Sequence, residues 1–105
     1  MRLHDIAHSR GGDKGDLADI SVIAYHPDDF PFLREHVTAE RVREHFADIV
    51  AGHVDRYELP QLHALKFVLH QALDGGVTQS LNLDAHGKTL GSSLLEMNLP
   101  DRTEA

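Results

Sequence analysis

The most chemically suggestive stretch of the chain is HSRGGDKGD, from His8 to Asp16. Gly11, Gly12 and Gly15 allow backbone N–H groups to converge into an anion-binding concavity, and Arg10 and Lys14 place positive charge beside it. That combination suits a phosphate, or the phosphates of a coenzyme A ester, with His8 and Ser9 as flanking polar contacts. The spacing is neither GxxxxGK[ST] nor GxGxxG, which excludes the two common glycine-rich nucleotide motifs. Asp13, Asp16 and Asp19 could offer oxygens to a hard cation, but the EF-hand spacing and its closing glutamate are missing. The plainer reading is a glycine-permitted turn that Asp13 and Asp16 fix through Asx-type hydrogen bonds. As a loop between two strands it exceeds the usual connection of about 2–5 residues, which favours a recognition role aimed at a partner or an anionic ligand.

RYELP, from Arg56 to Pro60, is the second candidate, with Tyr57 and Glu58 as contact residues. A glutamate beside a cleft can act as a base. Equally, Arg56 and Glu58 share a strand face and can make structural ion pairs. The nine histidines raise the question of a metal. There is no HExxH and no cysteine, so a zinc site would need histidines and carboxylates alone. His4 and His8 lie four residues apart on one strand, too far to share an ion easily. The expectation is surface or partly buried histidines, with no metal and no cofactor. No G-x-S-x-G elbow supports a nucleophilic serine, and whether the chain is an enzyme stays open.

These residues must be carried by one domain, since the chain has 105 residues. Its hydrophobic fraction of 41% suffices for a core without disulfides or a structural metal. The net charge of −7 argues against nucleic acid and anionic membrane surfaces as partners. The longest apolar runs fall far short of the ~20 residues of a membrane span. No apolar leader follows MRLHDIAHSR, so a cytoplasmic protein is expected.

Alternation predicts a first strand over Leu3–His8 and a second over Ala18–Tyr25, the latter apolar on both faces as in a sheet interior. HPDDFPF reads as a turn carrying two packed aromatics. A helix follows, with Thr38 as N-cap, Glu40 in the first turn, a Val37–Val42 staple, and Val42, Phe46, Ile49 and Val50 as its apolar stripe, stopped by Gly52. His45, off that stripe, is expected to be replaceable. HVDRYEL is a strand ended by Pro60. For residues 60–73, Leu62, Leu65, Leu69 and Leu73 keep helical spacing while LKFVL fits a buried strand; the helix is favoured. TQSLNLD, the turn AHGK and a segment reaching LLEMNL suggest a closing hairpin, with Leu95, Met97 and Leu99 in a final strand or Gly91–Leu94 coiled as a helix. Residues 100–105 should fray. The fold class is α+β, an antiparallel sheet with helices packed on one face.

HSRGGDKGDLADISVIA, TAERVREHF and the run from RYELP to GSSLLEM together resemble the small C-terminal domain of the acyclic terpene utilisation protein A (AtuA) family. The resemblance runs from Ile6 to about Leu99, and GDKGD and RYELP are its most specific elements. The chain departs from the family pattern at Gly12, where serine is common, and at Gln61 and Lys66, where asparagine is. The resemblance implies a ferredoxin-like domain that usually follows a much larger one, here expected as a separate chain. It also implies a role in acyclic terpene or branched acyl-CoA catabolism. The leading expectation is therefore an accessory domain that acts with a large AtuA-like chain or self-associates. The rival is a free-standing small enzyme, or a module binding an acyl-CoA or phosphate ligand through residues 8–16.

Overall fold

Alternating burial along the two central strands builds the sheet. The computed structural model describes residues 1–14, 17–47, 50, 52–70 and 90–100, with Asp13 and Lys14 by backbone only. Strands β1 (Ala7–Lys14) and β2 (Leu17–Ala24) form one antiparallel hairpin, and β3 (Val54–Leu59) and β4 (Ala64–His70) form another. β2 and β4 pair antiparallel in the middle, giving the order β1-β2-β4-β3. In β2 every second residue is buried: Ala18, Ile20, Val22 and Ala24. In β4 the matching set is Leu65, Phe67 and Leu69, and the register places them opposite Val22, Ile20 and Ala18.

Helices α1 (Phe30–His36), α2 (Ala39–His45) and α3 (Leu90–Leu94) bring Phe30, Leu33, Val42 and Leu94 into the same core cluster. Thr38 caps α2 as expected, its hydroxyl accepting from Arg41 N–H at 3.1 Å, and Val37 and Val42 are fully buried. Arg56 ties β3 to the end of α1. Its Nη1 donates to the carbonyls of Arg34 (2.9 Å) and Val37 (2.8 Å), which the helix end leaves without an intrahelical partner. The result is the α+β arrangement of a ferredoxin-like domain, a four-stranded antiparallel sheet with helices.

Several expectations need correction. Residues 3–5 form a 3₁₀ turn, and the first strand starts at Ala7. His8–Lys14 is strand and not loop, because β2 offers an apolar, unbulged ladder and glycine tolerates extended backbone. HPDDFPF already enters a helix at Phe30, with Pro31 at a position where a missing N–H costs nothing. The next helix ends at His45, where Ala47 N–H bonds Glu44 O and tightens the last turn; Phe46 and Val50 are buried beyond it, and Ile49 lies outside the described residues. Residues 64–70 are strand. Pro60–Leu62 is a 3₁₀ turn, His63 takes a left-handed conformation (φ 53°), and Leu62 is left exposed.

At the C-terminal side, Gly91–Leu94 is helical, while Leu95, Met97 and Leu99 extend along the N-terminus rather than joining the sheet. Leu3 N–H donates to Met97 O at 2.9 Å, and Arg2 and Asn98 form an isolated bridge. The expected hairpin at TQSLNLD–AHGK, Leu73 and the expected fraying at 101–105 lie outside the described residues. His45 is not idle. Its Nε2 donates to Ser93 O at 2.8 Å and links α2 to α3.

Candidate functional site

One face of the sheet is covered by helices and the other carries the second set of alternating side chains. On that open face the register sets up rows across the strands. Gly12, Asp19, Val68 and Asp55 form one row, Arg10, Ser21, Lys66 and Tyr57 the next, and His8, Ile23, Ala64 and Leu59 a third. Tyr25, just past β2, stacks on His8 at 5.3 Å between centroids. Leu17, Tyr25 and Tyr57 are exposed, while Ile23 and Val68 are half-buried.

The candidate residues divide between the two faces. His8, Arg10, Gly12 and Tyr57 take open-face positions. Ser9 and Gly11 stand opposite Val22 and Ile20, on the helix side. Glu58 is also on the helix side, and its carboxylate pairs with Arg56 at 2.9 Å, a structural contact and not a free base. The backbones of Asp13 and Lys14 pair with Ala18 and Leu17; Gly15 and Asp16 lie outside the described residues. Within a strand, successive N–H groups point to opposite edges, so Gly11 and Gly12 do not converge on a common anion. Gly11 has a steric role: a Cβ there would sit 3.2 Å from Asp19 O. Arg10 and Tyr57 belong to opposite edge strands, three strand spacings or ~14 Å apart. They do not form one tight pocket. What they share is a flat face.

Two surface depressions border α2 instead, one beside Glu40, Arg43, Glu44, Ala47 and Val50, the other beside Arg41, His45 and Met97. Neither includes a candidate residue.

A cluster that sequence reasoning missed stands at one end of the open face. His53, Asp55 and His70 hold their donor atoms within 4.8 Å of one another. His70 Nε2 donates to Asp55 Oδ2 at 2.8 Å, and His53 Nε2 lies 3.5 Å from Asp55 Oδ1. The two imidazoles stack at 3.9 Å and 19°. The His70 hydrogen bond, chiefly, holds the Asp55 carboxyl below the usual range; desolvation opposes it and the nearby His53 assists. The signal in the sequence was H-x-D entering a strand, which puts both side chains on one face. His70 completes the group only if residues 64–70 are strand.

A family model, the AtuA ferredoxin-like domain, matches residues 1–100. The chain belongs to this family. No curated protein and no solved structure matches it. This AtuA ferredoxin-like domain contains no cysteine. Among the described residues of the AtuA ferredoxin-like domain, no helix is long and apolar enough to cross a membrane.

Proposed function

We propose that this domain is an accessory unit that docks, through the open face of its sheet, on a separate large AtuA-type chain in acyclic terpene or branched acyl-CoA catabolism. The observation that carries this reading is the exposure of large side chains on and beside that face: Tyr25 at 56%, Tyr57 at 51% and Leu17 at 39%. Tyrosine is enriched in interface cores, where an aromatic body is buried and a hydroxyl finds a partner. The flanking Ile23 and Val68 add apolar area between them. The net charge of −7 favours a partner whose docking surface is basic.

Co-expression with a large AtuA-type chain from the same organism, followed by gel filtration, tests the reading. Co-elution is expected, and the double variant Tyr25→Ala, Tyr57→Ala should lose it while melting as the wild type does. Two separately eluting proteins, with the small one monomeric, would refute it; a small chain that elutes alone as a dimer would point to self-association.

A rival reading draws on one row of the same face. Arg10 and Lys66 flank Ser21 there, an arrangement suited to the phosphates of an acyl-CoA-type ligand. Calorimetric titration with coenzyme A distinguishes it: binding that Arg10→Ala weakens supports the ligand module, and absence of heat removes it.

A further inference from the structure

We propose that His53, Asp55 and His70 form an open, three-ligand site for a divalent transition-metal cation of the zinc class. The donor set is two imidazoles and one carboxylate, which suits borderline cations such as Zn²⁺ rather than Mg²⁺ or Ca²⁺, whose sites are built from oxygen. It leaves further coordination positions facing solvent above the sheet.

The three donors lie within one side-chain adjustment of what such a cation needs. Tetrahedral zinc with bonds of about 2.0–2.1 Å separates its ligand atoms by about 3.3 Å. His53 Nε2 to Asp55 Oδ1 is 3.5 Å, and His70 Nε2 to Asp55 Oδ2 is 2.8 Å. A cation entering between them replaces the His70 hydrogen bond; the imidazole takes its other tautomer, with the proton on Nδ1 and the Nε2 lone pair turned to the cation. His53 must also swing its ring away from the stack with His70 so that both Nε2 lone pairs converge. Its side chain, 68% exposed, has room to do so.

An ordinary Asp–His pair would explain Asp55 and His70 alone. The third donor is what marks a site, and the backbone holds it in place. Gly52 N–H donates to His70 O and His70 N–H donates to His53 O, each at 3.0 Å, extending the β3–β4 ladder one step. Gly52 permits that closeness: a Cβ there would lie 2.6 Å from His70 O. His53 and His70 are thus fixed opposite each other by main-chain bonds, and Asp55 follows two residues along the same face. The site rests on this geometry and not on the docking reading, so either can fail without the other.

The test is calorimetric titration of the full chain with Zn²⁺, paired with the visible absorption of added Co²⁺. One equivalent should bind. His53→Ala and His70→Ala should each weaken it by at least the roughly 10–100-fold that loss of even an outer-shell partner costs, and should abolish the Co²⁺ band. His4→Ala, remote in sequence and paired with Asp5, should bind as wild type. Zn²⁺ should raise the melting temperature of wild type but not of His53→Ala, whose exposed ring makes folding of that variant safe. Non-saturable binding, or wild-type affinity in either histidine variant, would overturn the proposal.

Discussion

The helix-covered and open faces of the sheet are made by the same strands, one residue out of phase, and they carry different duties. Along β4, Leu65, Phe67 and Leu69 are fully buried, while Lys66, Val68 and His70 between them keep partial exposure. Among the described residues, the covered face is mainly apolar, with Arg56 and Glu58 at its β3 edge, and its core is shared by α1, α2 and α3. The open face is mixed, with two tyrosines, cations, carboxylates and the His53–Asp55–His70 cluster. Substitutions should therefore separate stability from binding according to which phase of the strand they strike.

The largest contrast is expected between neighbours. Phe67→Ala should cost about 3–5 kcal/mol, and Val68→Ala less than about 1 kcal/mol, as read by urea denaturation. Similar losses at both would erase the distinction between the faces. Gly52→Ala should cost about 1–3 kcal/mol, because its Cβ meets backbone and not a flexible side-chain end; the same variant should bind Zn²⁺ more weakly. If it is as stable as wild type, the strands do not close as described. Thr38→Ala should remove about 1 kcal/mol through the lost α2 cap, and His45→Ala a similar amount through its bond to Ser93. Both are measurable as shifts in thermal midpoint with open-face binding unchanged. Tyr57→Ala should move stability by no more than about 0.5 kcal/mol while weakening co-elution with the large chain. A strongly destabilised Tyr57→Ala would mean that the open face is part of the core.

Period-two patterns in β2 and β3 and the Thr38 cap were legible because each depends on residues close in sequence. Residues 60–73 were not. Leu62, Leu65 and Leu69 satisfy helical spacing as well as the strand set does, and the choice is made by pairing with β2, which is tertiary. That ambiguity also hid the metal-type cluster, since His70 reaches His53 only across a ladder. HSRGGDKGD misled in the opposite direction: glycine marks turns, and it is also compatible with a strand laid close against a neighbour, as at Gly11. Tyr57 was singled out for its motif, and its face followed from alternation. Glu58 was singled out with it, and alternation turned it toward Arg56.

Met1 and Leu99 bond each other in both directions, the terminal ammonium to Leu99 O at 3.0 Å and Leu99 N–H to Met1 O at 2.6 Å. Topologically the described domain is almost a closed ring, seamed at that point. A short linker joining its ends, with a new opening cut between β1 and β2, should yield a circular permutant with the same sheet. The seam also makes the two ends equivalent as attachment points: a fluorophore or a second domain fused before residue 1 or after residue 100 would leave the surface from nearly the same place.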